Sequence, residues 1–497
     1  MKNKPNLQSM MQFMQPIMPL HRRVAVSALL LLLHGCVSIP PDQDVFPQKE
    51  LASAQLAANI KLARDGWPQA QWWKNYHDPQ LDQLMDLALK EGPSLQATAA
   101  RIGSANAALQ LEDSATHLKA DLNANSNRQR YSSNGFFPPP IGGAYYTETT
   151  IQAVATYDFD WWGKHKAAIA AALGEVNARR ADYAQAEQTL AAAVAQSYFR
   201  LQGSWARLNN LQRMQAAQEK LVADKAKRIS HGIAAIDTER TAEIDLGSIR
   251  QQVAQLETHL AQEREALRAL LGADAQSLDN LSPRALPELS SSLPSSLGME
   301  LLARRPDLQA AHWRVEASLE RIEVNQAAFY PDVNLTGFIG TDVVTFDKLF
   351  NAASRTVYFG PTFTLPLFDS GRLKAQLSAA RNERNEMIAD YNQSVINAVR
   401  DVAQECLSLQ GIQKQAAEQS ATVKATSAVW HSAQARLKQG LTDNGNVLNA
   451  EIALNKQQDI ALQLQNQQVQ TDVALIKALG GGYQVQTNAT ASKDNGN

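Results

Sequence analysis

Asp158 and Asp160 stand two residues apart in an alternating stretch, so on an extended chain their carboxylates share one face. Carboxylates that close could divide acid and base work between them. A polar wall explains them better, because no other reactive group accompanies them. The nine histidines are scattered and the cysteines number two, Cys36 and Cys406. The chain contains no His-Glu-x-x-His, no Gly-x-Ser-x-Gly, no phosphate loop and no cysteine pair at metal spacing. Gly480-Gly481-Gly482 lacks the spacing of a nucleotide loop and reads as a helix stop. No enzyme, metal or cofactor is expected. The net charge of −2 over 497 residues implies no basic surface for nucleic acid.

One residue does invite chemistry. Arg22 and Arg23 precede a short apolar core from Val24 to Leu33, and His34-Gly35-Cys36 follows. That is a signal-peptide layout, too short to span a bilayer. Leu33-His34-Gly35-Cys36 resembles a lipobox, so Cys36 is the expected lipidation site, carrying diacylglycerol and an N-palmitoyl chain. A plain signal peptide with an incidental cysteine is the alternative. Either Met1 or Met18 could be the start.

Two further clusters sit at matching places. Arg228, His231 and Gly232 end one long helical stretch, and Arg436 and Gly440 end another. Glycine after a helix with basic residues in its last turn is a C-cap. Asp237 follows the first turn, and Asp443, Asn444 and Asn449 follow the second. Threefold symmetry would turn each into a polar ring, so these residues are gate and partner-docking candidates. Ordinary capping of the next helix is the plainer reading. Asp158 and Asp160 are lumen candidates.

The elements that position these residues come in two copies. Asp182-Tyr183, Val194-Ala195-Gln196, Leu201-Gln202, Arg228, Gly232 and Leu271-Gly272 recur at one constant offset as Asp390-Tyr391, Val402-Ala403-Gln404, Leu409-Gln410, Arg436, Gly440 and Leu479-Gly480. Pro93-Ser94-Leu95-Gln96-Ala97 pairs with Pro306-Asp307-Leu308-Gln309-Ala310. The expected layout is a signal peptide 1–35 and a lipid-anchored segment 36–79. A first repeat 80–272 follows, with a helix at about 93–117, a hairpin at about 120–161, a long helix at about 164–231 and a helix at about 237–271. A linker or equatorial segment 273–296 leads to a second repeat 297–480. That repeat holds a helix at about 306–329, a hairpin at about 332–367, a long helix at about 373–439 and a helix at about 446–479. A flexible tail 481–497 ends the chain.

The long helices have a heptad-type seam: Ile169, Leu173, Val176, Tyr183, Leu190, Val194, Leu201, Trp205 and Leu208 in the first, Tyr391, Ala398, Val402, Leu409 and Ile412 in the second. About 68 residues at 1.5 Å each make a rod roughly 100 Å long. A cylinder of rods is expected, not a compact core. The strands Ala120–Tyr131, Thr147–Trp161, Asp332–Thr341 and Thr356–Leu367 alternate apolar with polar, most clearly at 147–161, which is the signature of membrane barrel strands. Four strands leave two open edges, and unpaired backbone groups are not tolerated in hydrocarbon. Two chains would close with essentially no lumen, and three leave a passage. The expected fold class is therefore a mixed α+β membrane protein with an internal two-fold structural repeat. It is a trimeric 12-stranded β-barrel, four strands per chain, continuous with a long α-helical barrel.

Four stretches carry a resemblance: Gly66-Trp67-Pro68 with Trp72-Trp73, Leu302-Ala303-Arg304-Arg305-Pro306-Asp307, Phe329-Tyr330-Pro331-Asp332, and Leu365-Pro366-Leu367-Phe368-Asp369-Ser370-Gly371-Arg372. In these the chain resembles the outer membrane factor family of the TolC and NodT type. The resemblance implies a homotrimer in the outer membrane, docked to a periplasmic membrane-fusion adaptor and an inner-membrane pump, serving as a passive exit channel for small toxic compounds. The chain departs from the family at one place: relatives often carry Asp where Asn449 stands, near the periplasmic constriction, and Asp443 is the expected substitute for that charge. An exit channel for type I protein secretion, or a non-conducting envelope lipoprotein, shares the layout.

Overall fold

The computed structural model of the chain describes residues 39–49, 67–289 and 304–483. The signal peptide, Cys36, part of the expected linker and most of the expected tail lie outside them. The described elements are α1 (Pro79–Glu91), α2 (Pro93–Ser114), β1 (Lys119–Arg130), β2 (Tyr145–Asp158), α3 (Lys164–Ser230), α4 (Ile236–Leu271), α5 (Pro306–Ala327), β3 (Asp332–Val343), β4 (Arg355–Thr364), α6 (Arg372–Lys438) and α7 (Asn444–Ala478). They fall into two compact units. One takes in Asn106–Glu175, Val315–Met387 and the described residues up to Phe46; the other takes in the described residues of Pro47–Ala105, Val176–Arg314 and from Ile388 on.

The first unit holds one antiparallel sheet in the order β1-β2-β3-β4. Residues directly opposite one another share a face, so the register reads out both faces. Leu122, Ala153, Ile339 and Val357 form one row; Ala120, Ala155, Gly337 and Phe359 form the next. On the other face, Asp121, Val154, Phe338 and Tyr358 lie between these two rows, flanked by Asn123, Gln152, Gly340 and Thr356 on one side and by Lys119, Thr156, Thr336 and Gly360 on the other. One face is thus apolar and the other mostly polar, as period-two alternation requires. The apolar face is open: Val357, Phe359 and Phe363 are 72%, 74% and 59% exposed.

Two strands stop short of expectation. β2 ends at Asp158 where Trp161 is the expected end, and β4 ends at Thr364 where Leu367 is. A helix start competes for the chain at each place. The Asp160 carboxylate accepts the N–H groups of His165 (3.1 Å) and Lys166 (2.9 Å), capping α3. Asp369 accepts those of Gly371 (3.0 Å) and Leu373 (2.8 Å), capping α6.

An extended strap, residues 39–46, lies along α6 in this unit. Asp42 forms an ion pair with Arg384, whose side chain is only 4% exposed, and Arg381 donates to the Pro40 (2.7 Å) and Pro41 (3.0 Å) carbonyls. Asn385 acts like a strand partner, donating to the Asp44 carbonyl (2.6 Å) and accepting from the Phe46 N–H (3.3 Å). Ile39 packs against the buried cluster of Ile322, Phe329, Leu373, Leu377 and Ala380. Arg384 is buried but Asp42 is 29% exposed, so losing their charged hydrogen bonds costs about 1.5–3 kcal/mol. Arg384→Ala should therefore free the strap, read as rapid protease cleavage within residues 39–49 of a chain otherwise resistant. A strap still protected would count against this clamp.

The second unit corrects the expectation of rods without a core. Trp72, Trp73, Leu81, Met85, Val194, Tyr198, Phe199, Leu267, Leu271, Val469 and Val473 belong to one contiguous buried cluster. The seam residues Val176, Leu190, Val194 and Leu201 are buried, as are Tyr391, Ala398, Val402, Leu409 and Ile412. Leu173 is an exception at 45% exposed. Helix α1 was not anticipated; Asp78 caps it, accepting the Gln80 N–H at 3.0 Å, with Pro79 at its first position. Asp78 also accepts the Tyr198 hydroxyl at 2.6 Å, and burial holds that phenol protonated by pushing its pKa far up.

The segment expected as a linker is pinned where it is described. Leu278 and Leu286 are buried in the same core, and Gln202 bonds the Ser282 carbonyl (3.2 Å) and the Arg284 N–H (2.6 Å). Around Pro306 a knot of bonds forms. Arg305, 8% exposed, grips both carboxylate oxygens of Asp307 (3.0 and 2.7 Å) and donates to the Ala478 carbonyl at the end of α7 (3.0 Å). Gly480, Gly481 and Gly482 all have positive φ and are buried, so the expected tail begins as packed chain. A Cβ on Gly480 would collide with the Arg304 carbonyl oxygen, so only glycine fits.

Candidate functional site

The paired turns of the second unit carry most of the candidate residues. Helix α3 ends at Ser230, and Gly232 follows with φ +74°. The Gly232 N–H reaches the Ile229 carbonyl (2.9 Å) and the Ile233 N–H reaches that of Arg228 (3.0 Å). At the end of α6, Gly440 has φ +71°, its N–H bonds the Leu437 carbonyl (3.0 Å), and the Leu441 N–H bonds that of Arg436 (2.9 Å). Both are Schellman caps, which glycine favours because its φ is positive. Arg228 and Arg436 hold equivalent positions in them.

The following helices start differently. Ala235 precedes α4 with no side-chain cap, and Asp237, exposed, lies inside the first turn and does not cap it. Asp443 caps α7, accepting the Asn446 N–H at 2.9 Å. The other Asp443 oxygen accepts from Arg228 Nη1 at 2.8 Å. One carboxylate therefore ties the first turn to the second. The Asn446 N–H, and then the Arg228 guanidinium, hold the Asp443 carboxyl below the usual carboxylate range. Asn444 and Asn449 are exposed beside it. His231 is exposed in the cap, and its N–H bonds the Lys227 carbonyl at 3.3 Å.

Two participants escaped the sequence reading. Gly445 is buried, and a Cβ there would stand 3.3 Å from an Asp224 carboxylate oxygen. Asp224 thus lies close under the cap. Around the turns Ile233, Ile236 and Leu441 are 67%, 58% and 71% exposed.

In the first unit Asp158 lies on the polar face of β2, and Lys119 Nζ is 3.4 Å from its carboxylate. Asp160 lies beyond the strand in the cap described above, so the two carboxylates do not share a strand face. Cys36 lies outside the described residues. Among the described residues no group of His, Cys, Asp and Glu is placed to hold a metal, and no helix is long and apolar enough to cross a membrane.

Comparison with known proteins gives the following. The profile of the outer membrane efflux protein family matches residues 84–273 and 297–481. The multidrug resistance outer membrane protein MdtP of Shigella flexneri is 38% identical over 461 residues, covering 91% of this chain and 94% of its own. MdtQ of Escherichia coli O157:H7, also a multidrug resistance outer membrane protein, is 35% identical over 468 residues, covering 93% and 98%. Among solved structures, the outer membrane protein VceC of Vibrio cholerae is 30% identical with a TM-score of 0.75, covering 84% of this chain and 100% of its own. The CmeC outer membrane channel of Campylobacter jejuni, 21% identical with a TM-score of 0.79 over 90% and 95%, shares the fold.

Proposed function

We propose a function from one premise: the chain belongs to the outer membrane efflux protein family. It is an outer-membrane exit channel for multidrug efflux, a passive conduit that lets small toxic compounds leave the cell. The observation that carries this is the sheet, with its exposed apolar face, its mostly polar opposite face and two unpaired edges. In lipid the apolar face is satisfied and the open edges are not. Copies of the same chain supply the missing partners. Three give twelve strands, three times the four of one chain, and a closed ring wide enough for a lumen. The two sequence copies then set out one unit twice around the ring, and the long helices continue the duct into the periplasm. The lipid on Cys36 anchors the strap at the membrane. The paired turns are where a periplasmic membrane-fusion adaptor docks and where the duct closes at rest, and an inner-membrane pump supplies the energy.

Native mass spectrometry of the purified protein in detergent, paired with planar-bilayer recording, tests the reading. Three copies per particle and discrete conductance steps are expected. A monomer that stays outside lipid would overturn it.

A further inference from the structure

We propose that a pocket at the feet of the two long helices binds the phosphate headgroup of an anionic phospholipid; this rests on the outer-membrane placement above. The pocket, about 270 Å³, lies within the first unit where β2, β3 and β4 give way to α3 and α6. Lys164, His165 and Arg372 bring cationic or titratable side chains to its wall, and Phe159, Trp162 and Tyr330 bring rings. Trp162 stacks on Tyr330 with centroids 4.6 Å apart, and its indole N–H is held by the Pro331 carbonyl at 2.8 Å.

The charge placement asks for a reason. The N-terminus of a helix is the positive end of its dipole and favours acidic residues in the first turn. Neither long helix has one there. Lys164, His165 and Lys166 open α3 instead, and Arg372 and Lys374 open α6. The backbone N–H groups at these starts are already taken by Asp160 and Asp369. Arg372 Nη1 donates to Gln376 Oε1 (3.1 Å), so its other N–H groups and the Lys164 ammonium are what a ligand would meet. Asp160 and Asp332 also line the pocket; both Asp160 oxygens are turned to the N–H groups at the positive end of α3, which offsets part of that charge.

The depth selects a lipid. Phe159 backbone-bonds Val333, which stands opposite Phe363 in the exposed apolar face. The pocket therefore adjoins the end of that face, where acyl chains end and headgroups begin. Trp161, Leu367 and Phe368, 67%, 75% and 90% exposed, lie at the same strand ends and fit an interfacial belt. Cations just beyond such a belt attract anionic lipid.

Full-length protein would be placed in phosphatidylcholine nanodiscs with and without phosphatidylglycerol, and the lipids it retains counted by native mass spectrometry. The wild type should keep phosphatidylglycerol over phosphatidylcholine by roughly tenfold, as a well-placed cation pair would give. Lys164→Gln with Arg372→Gln should bring the two lipids to parity. Lys164→Arg with Arg372→Lys should keep the preference, as should the charge-matched Lys220→Gln with Lys424→Gln. Unchanged selectivity in the Lys164→Gln, Arg372→Gln variant, or none in the wild type, would overturn the site. Loss of the bound lipid to millimolar inorganic phosphate would assign the pocket to free anions and overturn the lipid. Bilayer conductance of the same samples separates the two readings: normal steps without lipid preference sink only the headgroup site, and absent steps in the wild type sink the channel.

Discussion

Asp443→Asn in the purified channel should shift the balance of open and closed states by about tenfold toward open, seen as longer open times in planar bilayers. Asparagine caps a helix as well as aspartate does. The substitution therefore keeps the bond to the Asn446 N–H and removes the charge that holds Arg228. The side chains of Arg228 and Asp443 are 32% and 39% exposed, so solvent screens the pair heavily. About 0.5 kcal/mol is reasonable for one such pair. If three chains move together the loss triples to about 1.5 kcal/mol, which is the tenfold shift. Arg228→Ala should do the same, and the two together should do no more than either, because both remove one interaction. Asp443→Ala should go further, since the cap is lost as well. Equal open probability in all these proteins would remove this pair from the gate.

The same carboxylate fixes the pH response. Its folded pKa is lowered from 3.8, first by the Asn446 N–H and then by Arg228. A lowered pKa contributes stability above the unfolded value, and that contribution is lost as pH falls through the folded one. Closure at this pair should be constant from neutrality down to about pH 5 and should weaken only below the usual carboxylate range. Opening near pH 6 would point to another group.

What was legible in the sequence follows from periodicity. The strand cores and long helices were readable because alternation and heptad spacing persist over many residues, and Tyr391, Ala398, Val402, Leu409 and Ile412 are all buried. The strand ends were not, because Asp160 and Asp369 take up backbone N–H groups there and start a helix. The strap was invisible for another reason. Asp42 and Arg384 are 342 residues apart, and nothing local in either marks the pair. Arg228 and Asp443, 215 apart, were each singled out, but only folding shows that they meet. Helix α1 is the case where a signal was present and missed: Asp78 followed by Pro79 is a cap with proline at the first helical position.

Gly340→Ala should abolish assembly of the channel, and Gly337→Ala should leave it nearly intact. Both glycines lie on β3, three residues apart and on opposite faces. A Cβ on Gly340 would overlap the Ile151 carbonyl oxygen and stand 2.7 Å from Gln152 Cα. Those are backbone atoms of the paired strand, so β2 and β3 must separate to admit it. In water a broken ladder bond costs about 1 kcal/mol net. In hydrocarbon each unpaired group costs several kcal/mol, and a ring with one opened seam exposes several. On Gly337 the nearest atom to a new Cβ would be a Phe359 ring carbon at 3.2 Å, and a ring on an exposed face can yield. Outer-membrane fractions run without heating should show the oligomer for wild type and Gly337→Ala and no oligomer for Gly340→Ala. Equal oligomer in the two variants would mean that the pairing of β2 with β3, the ladder joining the two hairpins of the chain, does not bear on closure of the barrel.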